Sequence, residues 1–122
     1  AFLEQLHQAN IPMAIGTAAP ADNANFVLDA LNIRHYFKGV FHAGSVSKGK
    51  PNPEIFLKAA ASLNLKPEDC LVFEDSVSGA ATAKNAGCKA IIVTTTHSKE
   101  EFTHFDHILQ FVNDYTEVRI DV

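Results

Sequence analysis

The feature that most limits what this chain can fold into is an alternation. Short apolar runs of strand length are separated by stretches whose apolar residues recur at helical spacing. The runs are Met13-Ala14-Ile15-Gly16-Thr17, Val40-Phe41-His42-Ala43, Cys70-Leu71-Val72-Phe73 and Lys89-Ala90-Ile91-Ile92-Val93. They are near-continuously apolar, as expected of strands covered on both faces rather than half exposed to water. Strands alternating with helices predict an α/β fold with a parallel sheet and helices on both of its faces.

Between the runs, Phe2, Leu3, Leu6 and Ala9 recur at helical spacing, and Asn10 followed by Pro12 stops that helix. A second helix is expected with Asp22 or Asn23 as its cap and Phe26, Val27, Ala30 and Leu31 as its inner face. A third opens at Pro53 and turns Ile55, Phe56, Ala59, Ala60 and Leu63 to one side. Lys66-Pro67-Glu68-Asp69 makes a turn into the third strand. A fourth helix, from about Val77 to Ala86, is ended by Gly87, a residue suited to a left-handed C-terminal position. Its Gly79, Ala80, Ala83 and Ala86 form a small-residue face, which predicts close packing on the sheet. Ser98 is placed to cap a short helix through Phe102, and His107-Ile108-Leu109 reads as a last edge strand. After Asp114 the pattern fades into a polar tail.

Composition narrows the partners. At 122 residues the chain is one domain's worth, and its net charge of -4 comes from interspersed acids and bases. There is no basic stripe to track nucleic acid. No apolar run reaches bilayer-spanning length and no signal-peptide pattern opens the chain, so a cytoplasmic protein is expected. Cys70 and Cys88 fit a reducing compartment and read as two small buried thiols; a disulfide between them is conceivable if their strands are neighbours. His104 and His107 are three apart, a metal spacing on a helix, but they fall where a loop meets an edge strand and read as surface histidines.

In a parallel α/β sheet, ligands bind outside the carboxyl ends of the strands. The residues expected there are Thr17, the loop from Gly44 to Lys50, Glu74-Asp75, and Thr94 to Thr96. Thr17 is either a helix cap or, with free backbone N–H groups, part of a phosphate site. Lys50, in a segment stiffened by Pro51 and Pro53, is either solvated or aimed. Adjacent carboxylates such as Glu74 and Asp75 are unfavourable together unless a cation shares them, and hard oxygens with open positions suit Mg²⁺. The bland alternative is a pair of acids favoured by a helix dipole. Taken together, a hydroxyl, a lysine and an acidic pair, each at a strand end, outline a phosphate-plus-metal site.

Three segments resemble the motifs of the haloacid dehalogenase superfamily. Ala14-Ile15-Gly16-Thr17-Ala18 is similar to its hydroxyl motif, and Gly49-Lys50-Pro51-Asn52-Pro53-Glu54-Ile55-Phe56 to its lysine motif. Val72-Phe73-Glu74-Asp75-Ser76-Val77-Ser78-Gly79, continuing through Ala83 and Ala86-Gly87, is similar to its acidic motif. The resemblance runs to about Asp114 and is nearest the beta-phosphoglucomutase-like phosphatases and phosphomutases. It implies a three-layer αβα Rossmann-like core and a Mg²⁺-dependent enzyme acting on small phosphorylated metabolites such as sugar phosphates, monomeric as the full-length protein. Thr17 and the Ala18 N–H would hold the transferring phosphoryl group. Lys50 would neutralise it, and Asp75 would bind Mg²⁺. Glu74 would be a direct or indirect ligand or a partner of Lys50, and Ser76 would orient the acidic pair.

The family's nucleophile is the first aspartate of an Asp-X-Asp pair on the first core strand, and no Asp-X-Asp occurs in this chain. In this subgroup that strand and a helical cap domain precede the hydroxyl motif. Residues 1–122 are therefore expected to be a partial core domain, with the nucleophile strand and cap upstream in a longer protein. The absent strand is central in the family's sheet, beside the strands ending at Thr17 and Asp75. The chain alone is accordingly expected to be marginally stable and inactive. Pro20 stands where some phosphomutases carry a polar or basic phosphate-gripping residue, which weighs against mutase activity. A two-component receiver domain uses similar groups in a different order, and a dinucleotide-binding unit needs more glycines than Ile15-Gly16-Thr17-Ala18 supplies. The rival from another class is a non-catalytic module that binds phosphate and metal without transfer.

Overall fold

The structure is a computed structural model that describes residues 2–17, 19–94 and 97–114. Along the chain come α1 (Phe2–Gln8), β1 (Ala14–Gly16), α2 (Ala21–Ala30), β2 (Gly39–Phe41) and α3 (Glu54–Ser62). Then follow β3 (Leu71–Glu74), α4 (Val77–Ala86), β4 (Lys89–Val93) and β5 (Ile108–Val112), with single-turn helices in several connections. Every strand pairing is parallel, as the alternation predicts. No described helix is long and apolar enough to cross a membrane.

The strands form two sheets. β1 pairs with β2, Ile15 opposite Val40. β4 lies between β3 and β5, with Phe73 opposite Ile91 and Ile92 opposite Phe111. α3 packs on β1, β2 and α4, and α4 lies on β3 and β4. A cavity of about 910 Å³ lies where the two sheets approach, lined by Phe2 and Leu6 of α1, Ile15 of β1, Phe56 of α3, and Leu71 and Phe73 of β3.

The helices stop by one device used four times. Asn10, Asn32 and Asn64 take left-handed φ values of 60°, 54° and 58°, and Gly87 takes 87°. After each, the next N–H reaches back five residues: Ile11 to the Leu6 carbonyl, Ile33 to Leu28, Leu65 to Ala60, and Cys88 to Ala83. This is the Schellman closure, and the residue after the turn is apolar each time. Asparagine and glycine are the residues that reach this region at least steric cost.

The main core joins Ile55 and Phe56 to the small-residue face of α4 and to Ala90, Ile92 and Phe102. Gly79, Ala80, Thr82, Ala83 and Ala86 of α4 are buried, so the predicted face is the one that packs. Thr82 satisfies its hydroxyl on the Ser78 carbonyl at 2.7 Å.

Two local expectations are corrected. The N-cap of α2 is Pro20, with extended φ and ψ and no side-chain cap, not Asp22 or Asn23; the helix starts two or three residues earlier than read and Asp22 falls within its first turn, where the dipole favours an acid. Its buried residue is Leu28, while Phe26 is 74% and Leu31 63% exposed. Periodicity identifies an apolar stripe but not whether a neighbour covers it. His107 is also not a surface residue: it is 6% exposed, its Nε2 2.8 Å from the Ala80 carbonyl. Cys70 and Cys88 are free thiols. Cys88 is buried, and burial pushes its pKa up to about 11. Cys70 is only half-buried, because β3 flanks the cavity.

Candidate active site

Thr17 follows directly on β1, and its N–H donates to the Phe41 carbonyl at 2.9 Å, extending the β1–β2 ladder by one bond. Its Oγ1 accepts from the Ala19 N–H at 3.1 Å. This is a local turn and not a cap of α2, whose first turn it does not reach. Among the described residues no acceptor takes the hydroxyl proton, which leaves it available to a ligand. Ala18, the proposed backbone donor, lies outside the described residues.

Lys50 is 24 residues before Glu74 in sequence, yet its Nζ donates to Glu74 Oε2 at 3.0 Å. The two side chains are 14% and 13% exposed, so the pair is screened far less than an exposed ion pair. The same ammonium lies 5.1 Å from the centroid of the Phe56 ring, within cation–π range. Phe56 in turn abuts the end of β1: a Cβ built on Gly16 would stand 3.1 Å from its Cε1. Lys50 is thus tied to the end of β3 by charge and to the end of β1 through an aromatic ring.

The loop carrying Lys50 is held from α3. Glu54 accepts from the Ser47 N–H at 3.0 Å, the Ser47 hydroxyl at 3.0 Å and the Lys48 N–H at 3.1 Å. Its own N–H donates to Asn52 Oδ1 at 3.0 Å, and Lys58 pairs with it at 3.3 Å. Desolvation raises the Glu54 pKa, but the donors from Ser47, Lys48 and Lys58 together outweigh it and hold the carboxyl below its ordinary value. Asn85 of α4 donates to the Pro51 carbonyl at 2.9 Å, and the Lys50–Pro51 peptide bond is cis.

At the end of β3 the two acids differ. Glu74 folds back over the start of α4, where Oε1 accepts from the Asp75 N–H at 3.1 Å and the Ser76 hydroxyl at 3.3 Å. Ser76 is the N-cap of α4 and accepts from the Gly79 N–H at 2.9 Å. Asp75 is exposed, and among the described residues its carboxylate has no partner. An exposed carboxylate next in sequence to a second one that holds a lysine, at a strand end, offers the hard oxygens that Mg²⁺ takes with one or two protein carboxylates and several waters. No cluster of three or more potential metal ligands occurs among the described residues.

The structure therefore brings Lys50 and Glu74 into contact, sets Asp75 beside them, and reaches the Thr17 strand end through Phe56. The sequence reading missed three residues of this arrangement. Glu54 staples the lysine loop, Phe56 supports the ammonium, and Gly79 leaves space for Glu74. The signals for the first two lay inside the lysine segment itself, three and five residues after Pro51. Gly79 stood in the acidic segment and on the packing face of α4, but neither marked it as the seat of Glu74.

A family model described as haloacid dehalogenase-like hydrolase matches residues 1–87. Validoxylamine A 7'-phosphate phosphatase of Streptomyces hygroscopicus subsp. limoneus is 38% identical over 97% of this chain and 54% of its own length. Beta-phosphoglucomutase of Bacillus subtilis is 40% identical over 74% of this chain and 39% of its own length. The crystal structure of a HAD hydrolase, family IA, variant 3, from Entamoeba histolytica superposes with a TM-score of 0.87 at 28% identity, over 97% of this chain and 54% of that one. The chain thus spans about half the length, or less, of the curated relatives it matches.

Proposed function

Since this chain belongs to the haloacid dehalogenase-like hydrolase family, we propose that it supplies the phosphate- and metal-handling half of a Mg²⁺-dependent phosphatase for small phosphorylated metabolites, sugar phosphates foremost. The relatives named for phosphatase and phosphoglucomutase activity support that substrate class. The observation that carries the reading is the Lys50–Glu74 pair at 3.0 Å, placed at a strand end next to exposed Asp75, whose carboxylate has no partner among the described residues.

The Thr17 hydroxyl would donate to a phosphoryl oxygen, helped by the Ala18 N–H. Lys50, held between Glu74 and Phe56, neutralises the same group. Asp75 would be a direct ligand of Mg²⁺, and Glu74 would supply the second carboxylate of the site while its Oε2 keeps Lys50 in place. When bound, the ion neutralises charge on the phosphoryl group. The nucleophile would be an aspartate on a strand outside this chain: its carboxylate attacks phosphorus, the ester oxygen leaves as an alcohol with a proton from a second acid outside this chain, and water then cleaves the aspartyl-phosphate to inorganic phosphate and the free aspartate. The cavity between β1 and β3 supports that placement, since an inserted strand would pair with both and cover its apolar lining.

The test is hydrolysis of an aryl phosphate by the full-length protein that carries this chain, with and without Mg²⁺. Asp75→Asn is expected to lower kcat by about 100-fold or more, since Lewis-acid stabilisation is worth several kcal/mol and each ~1.4 kcal/mol is tenfold. A folded full-length protein that binds vanadate yet turns over no phosphate ester defeats the enzyme reading in favour of a non-catalytic binding module.

A further inference from the structure

We infer that Gly79 is a positioning residue for Lys50, acting through Glu74. Gly79 is buried in the first turn of α4, a place where alanine is the better helix former. A Cβ there would run into Cγ, Cδ and Oε2 of Glu74, three atoms of one side chain at less than any real contact distance. The Glu74 carboxylate is thus seated on the bare backbone of Gly79. From that seat Oε2 reaches Lys50 at 3.0 Å and Oε1 reaches the Asp75 N–H at 3.1 Å.

Glu74 is not free to swing aside and keep these bonds. Its carboxylate is tied on one side to Ser76, the residue that caps the helix with the Gly79 N–H, and on the other to Lys50. A methyl group at position 79 displaces the carboxylate from the pocket formed by these donors, and Lys50 loses its ionic partner. Among the described residues, Lys50 then keeps only the Phe56 ring as a side-chain support. By contrast, a Cβ on Gly16 would meet Phe56 atoms at 3.1 and 3.2 Å and Ile55 Cγ1 at 3.2 Å, contacts that ask both side chains to give by a few tenths of an ångström. The constraint on Lys50 is therefore strict at Gly79 and mild at Gly16.

The catalytic consequence rests on the phosphatase reading; the geometric one does not. Gly79→Ala is made in the full-length protein and again in a Glu74→Ala background, where the obstructing side chain is gone. In the native background the substitution is expected to lower kcat by about 100-fold, the effect of misplacing a catalytic group by about 1 Å. It should also lower the melting temperature and open the Lys50–Glu74 separation in a crystal structure beyond about 4 Å, the limit of an ion pair. In the Glu74→Ala background it should cause no further loss of kcat and should raise the melting temperature, as expected of alanine in a helix. Equal losses in the two backgrounds would assign Gly79 to helix packing alone and overturn the inference. So would a Gly79→Ala structure with the ion pair intact. If the native protein shows no turnover, the phosphatase reading falls separately. The crystal structure and the paired melting temperatures still decide the role of Gly79.

Discussion

The half of the molecule built on β3, β4 and β5 differs from the half built on β1 and β2 in where its side chains go. Residues 90–93 of β4 are all buried, and α4 buries five residues, of which Ala80, Ala83 and Ala86 share a core with Ala90 and Ile92. In β1 and β2 no residue is fully buried, and α2 buries Leu28 alone while Phe26 and Leu31 face outward. The second half owns a core, whereas the first half borrows one through α3, whose Ile55 and Phe56 join the cluster around α4. The candidate site lies on the seam, with Thr17 on the borrowed side and Glu74-Asp75 on the other. Lys50 reaches across. A site on such a seam depends on the few contacts that cross it.

The largest effect expected from this asymmetry is on stability. Ile92 is 0% exposed at the centre of β4, and Ile92→Ala should destabilise by about 2–5 kcal/mol. Phe26→Ser on the outer face of α2 should stay within about 0.5 kcal/mol. Denaturant titrations of the two variants side by side decide it. Comparable losses would break the contrast and mean that the outer face of α2 is covered in solution.

A smaller effect sharpens the contrast by pH. Buried His107 is part of how β5 docks on α4. Because the Ala80 carbonyl can only accept, Nε2 carries the proton and Nδ1 is bare, and Nδ1 is buried without a partner among the described residues. Burial, the largest cause, lowers the pKa of His107; the Ala80 bond opposes this, Lys84 and Lys89 lower it further, and Asp106 raises it. A histidine with a depressed folded pKa is favoured neutral. Its stabilisation is full above the unfolded value of about 6.5 and is lost as pH falls through the lower folded value. The melting temperature should therefore fall on acidification below about pH 6.5, and less steeply in His107→Gln. Parallel curves for the two proteins would remove His107 from the docking of β5.

What the sequence made legible follows the same division. The bounds of α4 and β4 were read correctly, since Gly87 closes the helix and both elements bury what the pattern marks apolar. The grouping of Lys50 with the acidic pair was legible from order and strand ends, and the 3.0 Å contact follows it. The inner face of α2 was misread because an apolar stripe carries no record of whether anything packs on it. The buried state of His107 was missed because its partner is a backbone carbonyl, Ala80, that leaves no mark in side-chain pattern. The sequence pointed to one parallel sheet lacking a central strand, whereas the described strands form two sheets, because periodicity names strands but not their neighbours.

The smallest effect tests how the seam is held on the Lys50 side, where hydrogen bonds replace packing. Glu54 is the only anchor that ties both Ser47 and Lys48 to α3 among the described residues. Its pKa is lowered, because its donors outweigh the desolvation that raises it. The depressed value means the staple is fully present above the ordinary carboxylate pKa of about 4.3 and fails as pH falls through the lower folded value. The amide resonances of Ser47 and Lys48 should therefore titrate together with a midpoint below about 4.3 and lose that transition in Glu54→Gln. Because the carboxylate is at the surface, the global melting temperature should change little while the lysine loop loosens, so Glu54→Gln should lower kcat far less than Asp75→Asn. Midpoints at or above the ordinary carboxylate value would mean the staple does not form in solution. Lys50 would then depend on Glu74, Phe56 and the Asn85 bond to the Pro51 carbonyl, and the Gly79 seat would matter more than the Glu54 staple.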